Sequence, residues 1–386
     1  MNDTVKTAVL HHWLVSQRGG EKVLESILEL YPQAPIYTLV CDRKSLTDSL
    51  SQKEMITSFL QRIPGAHKIY QSLLPLMPHA VEQFDFSSYD LVISSDTCVM
   101  KGAILPSSTC HICYCHTPAR YAWNMYHSYK TGASWIRRLI MTFFMTHFRL
   151  WDFNAAQRVN FFIANSKTVQ QRIYAYYRRN SVVIYPPVDT EDFEISDQIG
   201  DYYLCLSQLI PYKKIDIAIH AFNKLKRKLI VVGTGSQMAY LKKISSSYIE
   251  FFGYQTKEEI KKLYAECKAF IFPGEEDFGI TPLEANASGR PVIAFAKGGA
   301  LETIVPPIET DGQYDCSQAT GLFFKQQTPE SLIDAIHRYE AIEDRLNPNI
   351  ARTNAKKFSK ERFQSEFKTL ANQYINNFKT GATIAV

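Results

Sequence analysis

Cysteine is scarce in this chain of 386 residues. The eight cysteines are Cys41, Cys98, Cys110, Cys113, Cys115, Cys205, Cys267 and Cys316, and most lie in apolar runs such as Tyr203-Leu204-Cys205-Leu206. That usage argues against a disulfide-stapled scaffold and reads as reduced, buried thiols. Only Cys110, Cys113, Cys115 and His116 cluster closely enough to raise zinc. No second ligand pair follows at zinc-site spacing, so no metal is expected. No apolar run reaches the ~20 residues that a membrane-crossing helix needs. The first residues, Met1 to Lys6, lack the pattern of a signal peptide, and a cytoplasmic location is the expectation. One-sided charge is missing too. Lys and Arg number 43 against 38 Asp and Glu, leaving a formal charge of +5. That is too slight to argue for a nucleic-acid partner, although it suits an anionic ligand or membrane surface. Internal repeats and low-complexity tracts are absent.

What is present is an ordinary globular composition, 46% hydrophobic and 21% charged. At roughly 100–200 residues per domain, the length suggests two domains. Short apolar strands alternate with helical patterns. Residues 7–11, 36–40, 90–94, 109–114, 161–165 and 182–185 read as strands. Val23, Leu24, Ile27 and Leu28 recur at helical spacing after Gly19-Gly20, and Ser166 reads as a helix N-cap. Pro186-Pro187 and the polar stretch 189–201 mark a junction. A second series follows, with strands at 203–206, 228–232, 249–252, 269–272 and 290–295 and helices at 216–225, 257–267 and 282–287. Strand–helix alternation implies parallel sheets covered by helices, with ligands outside the carboxyl ends of the strands.

One loop is richest in chemistry. Segment 272–285 runs Phe-Pro-Gly-Glu-Glu-Asp-Phe-Gly-Ile-Thr-Pro-Leu-Glu-Ala. A strand ends, a glycine-containing loop turns, and a helix is expected to start near Thr281-Pro282, since proline is favoured in a first turn. The backbone N–H groups of Gly279, Ile280 and Thr281 would then form an anion site suited to a diphosphate. Glu276 precedes that site and Glu284 lies about one turn inside. One carboxylate can reach a sugar ring, and the other can take hydrogen bonds from both hydroxyls of a ribose.

Glu276, seven intervening residues and Glu284, with Phe278-Gly279 and Pro282-Leu283-Glu284-Ala285, resemble the signature of family-4 retaining glycosyltransferases of the GT-B fold. Other segments resemble that family in the same order: Arg18-Gly19-Gly20-Glu21-Lys22, His116-Thr117-Pro118, Asn165-Ser166, Pro187-Val188-Asp189, Pro211-Tyr212-Lys213-Lys214, Gly233-Thr234-Gly235, Gly253-Tyr254, 288–294 and Gly298-Gly299. The resemblance spans about residues 5 to 305 and points to the bacterial polysaccharide or O-antigen subgroup of mannosyl- and glucosyltransferases. It implies an α/β GT-B fold, two Rossmann-like domains facing each other across a cleft. Residues 1–195 would form the acceptor domain, 196–361 the nucleotide-sugar donor domain, and a C-terminal helix at about 362–386 would pack back on the first.

The resemblance also implies roles. Glu276 would bind donor sugar hydroxyls where transfer occurs, Glu284 the ribose, and Lys213, helped by Lys214, the diphosphate as it takes up charge. Phe278, Gly279, Ile280 and Thr281 would shape the phosphate loop. Gly19 and Gly20 would let backbone approach the phosphates. His116 would sit near the sugar C6 hydroxyl, and Gly235, Gly253 and Tyr254 would flank the base. Transfer would retain stereochemistry by a front-face mechanism and need neither metal nor cofactor. The donor would be UDP- or GDP-linked, with UDP-glucose slightly favoured, and the acceptor a glycan or lipid-linked oligosaccharide.

One position departs from the family pattern. Arginine is usual five residues before the lysine, and Gln208 stands there. Glutamine donates hydrogen bonds but lacks the charged fork that grips phosphate. Segment 128–151, with Trp135, Leu139, Phe143, Phe144, Phe148 and Trp151 among Lys130, Arg137, Arg138 and Arg149, fits either a core helix or an amphipathic helix at a membrane surface. Two other functions suit the same residues. A nucleotide-sugar epimerase of this architecture would convert its substrate without an acceptor, and a non-catalytic binding protein would not turn it over.

Overall fold

A computed structural model describes residues 5–17, 19–131 and 135–381. Arg18 of the glycine-rich segment lies outside the described residues. So do residues 132–134 and the side chains of Arg137 and Ile140 in segment 128–151. The chain divides into two compact units, Met1–Pro187 with Phe363–Val386, and Val188–Arg362.

The first unit is built on seven parallel strands: β1 (Thr7–His11), β2 (Ile36–Thr38), β3 (Met55–Thr57), β4 (Leu91–Asp96), β5 (Cys110–Cys115), β6 (Phe161–Ala164) and β7 (Ser181–Val183). Their order is β3-β2-β1-β4-β5-β6-β7. Every residue of β1, β4 and β5 is buried, which is why these strands lack the alternation of apolar and polar residues seen in half-buried ones, and their polar residues Ser94, Ser95, Asp96 and His111 are buried too. The helix Lys360–Thr380 adds Phe363, Phe367, Ala371, Tyr374 and Ile375 to the core that holds Val9, Ile93 and Ile112. Tyr374 stacks on Phe161 at 4.1 Å between centroids.

The second unit has six parallel strands: β8 (Tyr203–Leu206), β9 (Leu229–Val232), β10 (Ile249–Gly253), β11 (Phe270–Phe272), β12 (Val292–Phe295) and, after the small hairpin β13 (Ile308–Thr310) and β14 (Gln313–Asp315), β15 (Gly321–Phe324). They run β10-β9-β8-β11-β12-β15. Each sheet therefore reverses its strand order once, between β1 and β4 and between β8 and β11. Such reversal points are where open parallel sheets bind ligands.

The boundary lies after Pro187 rather than after residue 195. Val188 donates its N–H to the Phe358 carbonyl (3.0 Å) and bridges to Ser359, and Phe193 is buried in the core beneath the second sheet. Segment 128–151 forms the helix Tyr126–Thr131 and a longer helix, Trp135–Arg158. The long helix serves two environments. Met145 and Phe148 are buried, whereas Trp135 and Phe143 are 74% and 67% exposed. No helix among the described residues is long and apolar enough to cross a membrane. All eight cysteines are buried and unpaired. Burial holds the Cys113 and Cys115 thiols above their usual range and so protonated, a poor state for a metal ligand.

Candidate active site

In the second unit the expected residues gather where β8 and β11 end. Gln208 follows β8, and the chain then makes a single turn, Pro211–Lys213, before Lys214 takes a left-handed conformation (φ 56°) to open the helix Ile215–Leu225. The Lys213 ammonium pairs with the Glu276 carboxylate, and both side chains are largely buried, 19% and 14% exposed. Lys213 also lies 5.3 Å from the centroid of the Tyr212 ring. The backbone brings the pair together. A Cβ on Gly274 would stand 3.1 Å from the Lys213 Cα, so the loop after β11 rests on the lysine turn.

A second backbone contact sets Glu276. Gly299 donates its N–H to the Glu276 carbonyl (2.9 Å), and a Cβ on Gly298 would reach within 2.3 Å of that oxygen. Gly298 has φ 70°, open to glycine at no steric penalty. The helix after the loop runs Ile280–Ala287, starting two residues before the expected span 282–287, with Pro282 in its first turn and Gly279 (φ 93°) before it. No side chain caps this helix start, and its leading N–H groups carry the positive end of the helix dipole. Phe278 is buried against Phe358, 5.6 Å between centroids. Glu284 is 8% exposed and accepts a hydrogen bond from the Tyr264 hydroxyl (3.2 Å). Burial, then the Glu284 carboxylate, holds the Tyr264 phenol well above its usual range, so it stays a donor. Sequence reasoning missed Tyr264, which is one apolar position of the helix Lys257–Glu266 and carries no motif of its own.

The residues expected on the nucleotide side fall in two groups. Gly235 is locked in place: Leu209 donates to Thr234 (2.9 Å), and a Cβ on Gly235 would lie 2.2 Å from the Leu209 carbonyl. Gly253 accepts from the Gly233 N–H (2.8 Å), joining the loops after β9 and β10. Gln208 and Tyr254 stay on the surface, Tyr254 at 84% exposure.

In the first unit His116 follows β5, and Gly19 and Gly20 open the helix Gly19–Leu30. His116 Nε2 is 2.8 Å from the Ser95 hydroxyl, which is 3.2 Å from His11 Nδ1. His11 Nε2 lies 3.9 Å from Glu21 Oε1. A Cβ on Gly20 would meet His11 at 3.6 Å and His116 at 3.9 Å, ordinary contact distances, so packing alone does not require glycine there. The signal for Ser95 is the sheet register, which sets it directly across from His11.

A second buried polar group lies nearby in sequence. Lys101 Nζ is 2.6 Å from Asp152 Oδ1 and 3.3 Å from Asp96 Oδ2, and Asp152 Oδ2 accepts from Trp123 (2.7 Å) and Tyr177 (2.9 Å). Burial opposes the charge on Lys101, but Asp152, Tyr177 and Asp96 outweigh it and hold the ammonium well above its usual range. His111, bonded to Ser94 at 2.9 Å, is pushed down to about 3, first by burial, and is neutral.

Two doubly wound parallel sheets, the second with a basic–acidic pair and an open helix start at its reversal point, define the GT-B glycosyltransferase fold. Residues 188–358, nearly the whole second unit, match the family model described as glycosyl transferases group 1. The chain is similar to the alpha-1,3/1,6-mannosyltransferase ALG2 of Candida glabrata, 27% identical over 53% of this chain and 56% of that protein. It is also similar to a GDP-mannose-dependent alpha-(1-6)-phosphatidylinositol monomannoside mannosyltransferase of Mycobacterium tuberculosis, 32% identical over 26% of this chain and 31% of that one. The chain thus spans about half the length of the first relative and less of the second. Among solved structures, Anabaena Alr3699/HepE in complex with UDP-glucose shares the fold with a TM-score of 0.66 at 17% identity, covering 95% of this chain and 100% of that one.

Proposed function

We propose that the chain is a retaining glycosyltransferase that moves a hexose from a nucleoside-diphosphate donor to a hydroxyl of a glycan or lipid-linked acceptor. One observation carries the reading. The Lys213–Glu276 pair sits beside an uncapped helix start, with the buried Glu284 one turn inside. The reaction breaks the bond between the anomeric carbon and the diphosphate, and negative charge grows on the leaving phosphate. Lys213 exchanges Glu276 for that phosphate, and the N–H groups at the start of the helix Ile280–Ala287 complete the anion site. Glu276, released from the lysine, accepts from hexose hydroxyls. Glu284, oriented by Tyr264, takes the ribose hydroxyls. Charge neutralisation falls to Lys213 and the helix start rather than to a cation, so turnover is expected to survive chelation of divalent metals.

The matched mannosyltransferases make GDP-mannose the first donor to test, and UDP-glucose, bound by the Anabaena neighbour, the second. The assay is donor hydrolysis across UDP- and GDP-hexoses. One donor should turn over, with Glu276→Gln and Lys213→Ala each slowing kcat by about 10²–10³. Conversion to an epimer without release of the nucleotide would replace this reading with the epimerase. Binding without turnover of any donor would replace it with a binding protein.

The acceptor side of the proposal includes a membrane surface. Trp135, Ile136, Leu139 and Phe143 are exposed along the long helix of the first unit, and Arg138 is exposed among them. Aromatic and aliphatic side chains beside a cation suit the interface of an anionic bilayer on its cytoplasmic face. Flotation with vesicles of neutral and of anionic lipid should show binding that anionic lipid strengthens. Failure to float with either would remove the membrane from the proposal.

A further inference from the structure

We infer that the second unit binds a small zwitterion, with the size and charge pattern of an α-amino acid, in a cavity at the amino ends of β11, β12 and β15. The cavity has a volume of about 300 Å³, room for one such molecule. Lys268, Arg290 and Thr320, which stand just ahead of those strands in the chain, form part of its lining. Glu343 and Asp344, from the segment after the helix Pro329–Glu340, form another part. All of these residues belong to the second unit. The candidate active site lies at the opposite, carboxyl ends of the strands, so the inference does not rest on the transferase reading.

Arg290 carries the argument. It is 3% exposed, and a guanidinium keeps its charge in proteins. Nε donates to the Ala265 carbonyl (2.8 Å) and Nη2 to the Ser196 carbonyl, which fixes the plane of the group. Ala265 lies in the last turn of the helix Lys257–Glu266, so the helix dipole offsets part of the charge. Among the described residues, Nη1 has no acceptor and no carboxylate pairs with Arg290. Water at Nη1 would satisfy an N–H and leave the charge uncompensated, whereas a carboxylate does both.

The rest of the lining selects the ligand class. Two cations, Arg290 and Lys268, and two carboxylates, Glu343 and Asp344, line the cavity, and none of the four pairs with another. Lys268 is held only loosely, 3.7 Å from the surface carboxylate of Asp201. A phosphate or a dicarboxylate would be drawn by the cations and repelled by the acids, and a simple amine the reverse. A carboxylate and an ammonium on one small molecule answer both. Tyr339 also lines the cavity, and its hydroxyl donates to the Lys268 carbonyl (2.8 Å), so its oxygen can accept from an ammonium. Burial, then the Glu343 carboxylate, holds the Tyr339 phenol above its usual range, and Arg290 pulls it back, so both charges reach this one hydroxyl.

Isothermal titration of the full chain tests this, with each proteinogenic amino acid, propionate, n-butylamine and inorganic phosphate as probes. At least one amino acid should bind. Propionate, butylamine and phosphate, which each lack one of the two charges, should bind about tenfold more weakly or worse, the worth of one charge-assisted hydrogen bond. Arg290→Lys keeps the charge and loses the fork, and Glu343→Gln keeps the shape and loses the charge. Each should weaken the amino acid about tenfold. If Arg290→Lys melts early because its carbonyl contacts are lost, Glu343→Gln, half-buried and without an ion-pair partner among the described residues, decides alone. No binding by any amino acid, equal binding by propionate, butylamine or phosphate, or binding undiminished in Glu343→Gln would overturn the inference.

Discussion

Replacing Gly298 by alanine tests whether the backbone behind Glu276 is what holds that carboxylate in place. The new Cβ would stand 2.3 Å from the Glu276 carbonyl oxygen, and contacts of this kind are essentially never below 3.0 Å. The carbonyl must therefore retreat by about 0.7 Å, since close-packed interiors pass such strain to their neighbours. Glu276 moves with it, and its pairing with Lys213 is disturbed. A misplacement near 1 Å at a reacting centre costs about 10² in rate. Alanine at φ 70° also carries about 1–2 kcal/mol of backbone strain. Gly312 supplies the matched control. It has φ 74° and nothing within 4 Å of its Cβ position, so Gly312→Ala has the backbone strain without the collision. Both variants should melt slightly lower, but only Gly298→Ala should lose donor hydrolysis, by about 10²-fold in kcat. A Gly298→Ala enzyme within twofold of wild type would refute the reasoning, as would an equal loss in Gly312→Ala.

Three further outcomes are expected. Gln208→Arg places a charged fork beside the lysine turn and should tighten nucleotide-sugar binding about tenfold, or about 1.4 kcal/mol; an unchanged titration would mean that Gln208 does not touch the phosphates. Lys101→Met leaves two buried carboxylates without their cation, a loss of about 3–5 kcal/mol. That lowers the melting temperature by roughly 6–20 °C for a unit of this size, and a loss below about 1 kcal/mol in a thermal melt would contradict the described network. His111 is held neutral, its pKa pushed down to about 3, while the unfolded chain titrates near 6.5. Its contribution is therefore present above pH 6.5 and is lost as pH falls from there toward 3. Between pH 7 and pH 5 the wild type should lose about 2 kcal/mol more than His111→Gln, and parallel pH profiles in urea would show the assignment to be wrong.

Much of the fold is legible because most strands of the two parallel sheets are short and buried, so that they appear as largely apolar runs between glycine- or proline-marked turns. Segment 272–285 is legible for a related reason: loop, helix start and both carboxylates are contiguous in the chain. What escapes the sequence is pairing at a distance. Lys101 meets Asp152 across 51 positions, Tyr264 meets Glu284 across 20, and Ser95 meets His11 across 84. None of these partners belongs to a local pattern, and only the sheet register and the helix packing join them. The helix Trp135–Arg158 is ambiguous for another reason. Apolar residues occur around most of its circumference, so periodicity cannot separate the face that packs inward from the face that stays exposed.

The helix Lys360–Thr380 has a consequence for how the protein is made. The sheet of the first unit is complete in the chain by β7, yet its core still lacks Phe363, Phe367 and Tyr374. A ribosome adding about 5–20 residues per second delivers every residue of the second unit before those three. The unit begun first is thus finished last, and Phe161 waits for Tyr374 while more than 200 residues are synthesised. A chain released before this helix would carry the whole second unit and an unsealed first sheet. The turns of this helix are therefore the step at which the first unit closes.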